Sequence, residues 1–176
     1  MSNRNELKTF SLLVANRPGV LFRVTSHIKR RNFNIESIAV GPTEDRNISR
    51  MVITMMADER TTNLFVRLLR RTIDVLSVTK IDKDDAIIRE LALIKIMTND
   101  PNVRTSVLAL ANSSGANVLR VAKNHVIAEI SGTTEVVDNF IILVSVFGVK
   151  GVSRTGVTAI EKDIDGKVSK DGKNIL

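Results

Sequence analysis

The chain has 176 residues, with 26 Lys+Arg against 19 Asp+Glu for a formal net charge of +7, and it is 43% hydrophobic and 26% charged. That balance belongs to a folded protein of one compact domain or two small ones. There is no Cys, no Trp and no Tyr, and only two His, which excludes disulfides, thiol nucleophiles and thiolate metal sites. His27 and His125 alone leave little for an imidazole cluster or a catalytic triad. Residues 1–8 lack the apolar core of a signal peptide, and the apolar run 140–147 is too short to cross a bilayer. The expected setting is the cytoplasm or the soluble compartment of an organelle, without membrane contact.

In chain order, Leu7 to Ala15 reads as a strand. Asn16-Arg17-Pro18-Gly19 is turn chemistry, in which Asn16 can cap and Pro18 can open a helix. Val20, Leu21, Val24 and Ile28 then fall at helical spacing, and Asn32, tolerant of left-handed backbone, predicts the stop. Asn34 to Val40 and Ser49 to Ala57 read as strands joined by the turn-rich residues 41–45. Leu64, Phe65, Leu68, Leu69 and Ile73 return to helical spacing, and Val75 to Ile81 closes a βαββαβ order. In the third strand Met51, Ile53 and Met55 share one face and Val52, Thr54 and Met56 the other. Both faces look largely apolar, which predicts that a second sheet or subunit covers the one without helices.

The second half repeats the order. Glu90 to Met97 is a strand, and Asp100-Pro101 supplies a helix N-cap followed by a proline at the first helical position. Val103, Val107, Leu110 and Ala111 give that helix its stripe, and Gly115 ends it. Asn117 to Ala122 and Val126 to Ile130 form a strand pair turned at Lys123-Asn124-His125. Residues 134–147 are rich in β-branched side chains, yet Val137, Phe140, Ile141, Val144 and Phe147 follow the helical period, so a helix is predicted. Val149 to Ile160 supplies a last strand. Residues 163–176 are Gly-, Lys- and Asp-rich and predict a disordered basic tail. The fold class is α+β: two ferredoxin-like βαββαβ domains, at residues 1–83 and 84–162. Units this small gain from packing against a neighbour, so a dimer is expected.

Nothing in the chain assembles into catalytic chemistry. The acid pairs Glu44-Asp45, Asp58-Glu59 and Asp84-Asp85 sit at turns and element ends, and neither a phosphate-binding glycine motif nor metal-ligand spacing occurs. The informative segment is the first strand-to-helix turn. Gly19 lets a ligand approach the backbone, and free N–H groups at a helix start attract a carboxylate. Asn16 adds an amide that can hold an ammonium or carboxylate group. The same residues also suit an ordinary Pro-Gly loop. Charge is uneven, with 13 Lys/Arg against 7 Asp/Glu in residues 1–79 and 13 against 12 thereafter. Runs such as Lys29-Arg30-Arg31 are ordinarily solvated helix faces.

The run 16–24, Asn-Arg-Pro-Gly-Val-Leu-Phe-Arg-Val, with Arg31-Asn32-Phe33-Asn34-Ile35-Glu36-Ser37-Ile38 and Ser49-Arg50-Met51 after Pro42-Thr43, resembles the ACT domain of the acetolactate synthase small, regulatory subunit family. Arg89-Glu90-Leu91-Ala92-Leu93-Ile94-Lys95 and Arg154-Thr155-Gly156 resemble that family's C-terminal domain. The resemblance spans residues 7–162. It implies a subunit with no active site, metal or cofactor of its own. Thiamine diphosphate, Mg and FAD are expected in a large catalytic subunit, which the small subunit activates and makes sensitive to a branched-chain amino acid, usually valine. It further implies an effector site between two ACT domains of a homodimer. Asn16, Gly19, Val20 and Leu21 would form one side, and Asn34 and Ile35, at the start of the second strand, the other. Asn32 stands where the family commonly has Gly, a position Asn fills because it reaches positive φ. Arg17-Pro18 replaces more variable residues and bears on effector preference.

Two other readings of the residues remain. One is a free-standing ACT sensor that controls another enzyme or a transcription factor. The other is RNA binding, since βαββαβ is also the RRM topology. That function needs stacking aromatics on the central strands. Residues 50–56 hold none and the first strand only Phe10, so no nucleic-acid partner is expected.

Overall fold

The computed structural model describes residues 5–162; the tail expected at 163–176 lies outside them. Two compact units emerge, one running through Ile87 and taking in the stretch from Ala159, the other Ile88–Thr158.

In the first unit β1 (Glu6–Ala15), α1 (Val20–Arg30), β2 (Ser37–Pro42), β3 (Ile48–Ala57), α2 (Glu59–Arg70) and β4 (Val75–Ile81) follow in the expected βαββαβ order. The sheet order is β2-β3-β1-β4, with every pairing antiparallel. Alternation along the strands decides the core. Phe10, Leu12 and Val14 of β1 share a face with Met51, Ile53 and Met55 of β3 and lie buried under both helices' stripes. Val20, Val24 and Ile28 of α1, one to each turn, are buried here; a fully buried side chain of this size stabilises the fold by roughly 1.5–3 kcal/mol. Phe65 of α2 closes the core, its ring 4.7 Å from Phe10 and 5.3 Å from Phe33.

Three details differ from the sequence reading. The sheet's other face is mixed rather than largely apolar: Thr9, Ser11 and Thr54 stand beside Val52, all buried, with Leu7, Leu13 and Met56 on the same face. Arg50 donates to the Ser11 hydroxyl at 2.9 Å, and Ser37 and Thr54 share a hydroxyl contact at 2.7 Å. β3 brings Val52 and Met56 to this face, and its neighbour β1 brings hydroxyls between Leu7 and Leu13. Ile73 lies outside α2 and is 72% exposed, because the helix ends at Arg70 and Asp74 turns the chain at φ 70°. β2 begins at Ser37, so Asn34 and Ile35 precede the strand. Asn32 reverses the backbone at φ 56° as expected, but Phe33 and Ile35 then pack sideways onto the core, and the ladder opens only where Glu36 N–H donates to the Thr54 carbonyl at 2.9 Å.

The second unit repeats the plan with β5 (Ala86–Met97), α3 (Pro101–Ser113), β6 (Asn117–Val121), β7 (His125–Gly132), α4 (Thr134–Ser145) and β8 (Val149–Arg154), and the chain then passes into β9 (Thr158–Glu161), most of which falls in the first unit. The second sheet's strand order is β6-β7-β5-β8, with β9 also paired to β5. The β-branched segment is the helix α4, with Val137, Phe140 and Val144 buried. The single last strand expected over 149–160 is two, β8 and β9, parted at Gly156, whose φ of 76° breaks an extended run.

Candidate functional site

The β1–α1 turn, residues 16–19, is held from two directions. Ala15 N–H donates to the Asp74 carbonyl at 2.8 Å, and Asn16 N–H to the Asn47 carbonyl at 2.7 Å. The Asn16 side-chain amide donates to the Arg46 carbonyl at 2.9 Å. Asn16 is therefore a tie to the β2–β3 loop, not the helix cap its position suggested. Pro18 also lies outside the helix. Gly19 is the N-cap residue, at φ 85° and ψ −8°.

That substitution of roles leaves an opening. In α2 the N-cap Asp58 accepts from Thr61 N–H, in α3 Asp100 accepts from Asn102 N–H, and in α4 Thr133 accepts from Val136 N–H. α1 has no side-chain cap. Glycine contributes no oxygen to the N–H groups of the first turn, and these carry the positive end of the helix dipole. A Cβ added at Gly19 would meet nothing within 4 Å, so the approach is open. Val20 is buried beneath it, whereas Leu21 is 47% and Phe22 76% exposed. Arg23, one turn in, is engaged by the Asp74 carboxylate at 2.5 Å. Val20 N–H turns back to the Arg17 carbonyl at 3.4 Å. The turn presents the N–H groups of Leu21 and Phe22, without a side-chain cap, beside an apolar rim, chemistry that suits a small carboxylate with an aliphatic side chain.

Of the residues singled out from the sequence, Asn16, Gly19, Val20 and Leu21 come together here. Asn34 and Ile35 do not: they lie beyond the far end of α1, whose 11 residues rise about 16 Å. Asn34 is exposed and its amide reaches the Glu36 carboxylate at 3.3 Å, while Ile35 is half-buried against the core. Arg46 and Asn47, which anchor the turn through their carbonyls, carry no sequence signal for that role because backbone acceptors are indifferent to side-chain identity. Among the described residues no group of three His, Asp or Glu is placed to hold a metal ion, and no helix is long and apolar enough to cross a membrane.

The two C-terminal motifs also meet. Leu91 N–H donates to the Thr155 hydroxyl at 3.1 Å and Thr155 N–H to the Leu91 carbonyl at 3.0 Å. Arg154 bridges Glu90, which is 4% exposed, and Asp138. Partial burial opposes the Arg154 charge, but hydrogen bonds to Asp138 and Glu90 outweigh it and raise the pKa above the usual value.

The antiparallel 2-3-1-4 sheet makes the first unit ferredoxin-like, and it is an ACT domain: residues 10–77 match the family model described as the AHAS small subunit-like ACT domain. Residues 89–163 match the model of the small subunit of acetolactate synthase. The chain is 33% identical to the acetolactate synthase small subunit of Mycolicibacterium smegmatis, over 92% of this chain and 95% of that one. It is 36% identical to the probable acetolactate synthase small subunit of Archaeoglobus fulgidus, over 86% and 94%. The crystal structure of the acetolactate synthase small subunit from Thermotoga maritima superposes with a TM-score of 0.82 at 31% identity, covering 89% of this chain and 98% of that one. The chain belongs to the acetolactate synthase small-subunit family.

Proposed function

We propose that this chain is the regulatory partner of a thiamine-diphosphate-dependent acetolactate synthase catalytic subunit, which it activates, and that it confers feedback inhibition by a branched-chain amino acid, valine foremost. The observation that carries the effector site is the α1 N-terminus, uncapped, with Gly19 at φ 85° in open space. The effector carboxylate lies on the first-turn N–H groups, and its aliphatic side chain lies against Leu21.

The second half of the site comes from a second copy. β1 and β2 run in the same direction, both antiparallel to β3, so the α1 N-terminus lies toward the end of β2 and Asn34 and Ile35 toward its start. β2 is an edge strand. A two-fold axis pairing two β2 edges antiparallel brings Asn34 and Ile35 of one copy beside Gly19 and Leu21 of the other. An effector seated there has different affinity for different dimer geometries, and the catalytic subunit responds to the geometry selected.

Gly19→Asp places a fixed carboxylate where the ligand's should lie. Reconstituted with the catalytic subunit, this variant is expected to activate but to resist valine. Retention of ordinary valine inhibition would overturn the site. Calorimetry of the wild-type chain against valine, leucine and isoleucine ranks the effectors, and no heat with any of them would remove the sensor role while leaving the activator role standing.

A further inference from the structure

Much of the positive charge of the first half lies on its two helices. α2 buries Thr62, Phe65 and Leu69, so Arg60, Leu64 and Arg67, with Arg71 at the C-cap, lie on the side turned away from the core, and all four are exposed. α1 buries Val20, Val24 and Ile28 and exposes Phe22, Lys29 and Arg30. The acid on the two helices is Glu59, which faces Lys80 at 3.9 Å. Among the described residues no carboxylate pairs with Arg60, Arg67 or Arg71.

For a helix that meets only water this arrangement is unfavourable. Like charges one and two turns apart repel, and Arg60 in the first turn opposes the helix dipole. A solvated helix gains by alternating Glu with its cations; α2 does not. Its basic residues are Arg without exception, and Arg offers a planar fork matched to carboxylates, whereas Lys is depleted from protein interfaces. Leu64 stands among the cations as an apolar contact, which a protein surface rewards and a phosphate backbone does not. The helices cover one face of the sheet and leave the β2 edge open, so a dimer formed through β2 carries two such layers.

We infer that the outer face of α2, with Arg60, Leu64, Arg67 and Arg71, is the surface by which this chain docks on a carboxylate-bearing face of its catalytic subunit. The inference rests on the proposed regulatory function. Arg60→Glu, Arg67→Glu and Arg71→Glu combined in the full chain reverse the stripe, and a second variant with Gln at the same positions only neutralises it. Affinity for the catalytic subunit, measured by titration at low and high salt, is expected to fall about a hundredfold for the Glu variant at low salt and less for the Gln variant. The salt dependence seen with the wild type should flatten. Valine binding and the dimer mass of the variants serve as checks on folding and should be unchanged. A wild-type chain that neither binds nor activates the catalytic subunit defeats the functional reading itself. A wild type that binds, with both variants binding equally well, defeats the docking inference alone. Unaltered subunit affinity together with lost retention on a short DNA duplex also overturns it, and assigns the stripe to polyanions instead.

Discussion

At Gly19 backbone conformation and ligand chemistry compete for the same residue, and the two can be separated by substitution. A φ of 85° is strained for any side chain, and the left-handed region costs an L-residue about 1–2 kcal/mol. Because a Cβ there meets no protein atom within 4 Å, Gly19→Ala is expected to lose about 1 kcal/mol in a denaturant melt and, its methyl standing in the ligand's approach, to weaken effector binding without abolishing it. Gly19→Asp should lose a similar stability and also the binding. Equal melts for Gly19→Ala and wild type would remove the strain argument. Asp74 poses the reverse problem, since it holds φ 70° with a side chain and also pairs with Arg23. The Arg23 side chain is 42% exposed, so solvent screens the pair, and Asp74→Asn, which keeps a residue tolerant of positive φ, should cost about 0.5 kcal/mol. Asp74→Val adds a β-branched residue at that φ and should cost about 2 kcal/mol more. Equal losses for the two variants would show that the ion pair, not the backbone, matters. The turn itself was visible in the residues alone, because a Pro-Gly pair before a helical stripe marks a chain reversal, although the same residues suit an ordinary loop. The anchoring role of Asn16 was not, because an Asn before a helix looks like a cap until its acceptor, the Arg46 carbonyl 30 positions away, is known.

Elements were legible where one period dominated. α1 and α4 were readable because three buried residues recur at helical spacing in each, and in α4 that outweighed β-branched composition. The boundaries were harder. Ile73 continued the apolar spacing of α2 into residues the left-handed Asp74 removes from the helix, and Gly156 divided a strand that composition made continuous. The hydroxyls on the outer face of the first sheet were not legible because strand neighbours, here Thr9 and Ser11 of β1 against Thr54 and Val52 of β3, cannot be known before the sheet order is. Two element junctions in the second unit make their own tests. Where β7 meets α4, a Cβ on Gly132 would lie 2.9 Å from the Val136 Cβ, an atom fixed to the helix backbone. Gly132→Ala is therefore expected to cost about 1–3 kcal/mol through displacement of the helix start, and Gly132→Ala with Val136→Ala should recover part of it in a thermal melt. No recovery would locate the strain elsewhere. Where β5 meets β8, Arg154 neutralises the buried Glu90. Arg154→Met leaves that carboxylate unpaired and should cost about 3 kcal/mol, whereas adding Glu90→Gln to it should restore most of the loss. A double variant no better than the single one would mean the guanidinium acts by packing.

The whole molecule is expected to respond to effector as an assembly. Edge strands in soluble proteins are commonly guarded by charge, and β4, at one edge of the first sheet, carries Lys80; β2, at the other, reads Ser-Ile-Ala-Val-Gly-Pro and has no charge at all. Val40 on it is 48% exposed. Such an edge suits pairing with a second copy, and if each effector site is shared between two chains, ligand and dimer must stabilise one another. At a ligand concentration one hundred times its dissociation constant, each site should add about 2.7 kcal/mol to the dimer. Sedimentation of the purified chain at concentrations where monomer is detectable should therefore show valine shifting mass toward dimer, and dilution should weaken the apparent affinity for valine. Val40→Lys places a cation on each approaching edge, so it is expected to hold the chain as a monomer and to abolish the valine heat in the same step, with the monomer's melting curve otherwise intact. A monomeric Val40→Lys chain that still bound valine with full affinity would place the whole site within one protomer, and the α1 N-terminus would then have to serve without Asn34 and Ile35.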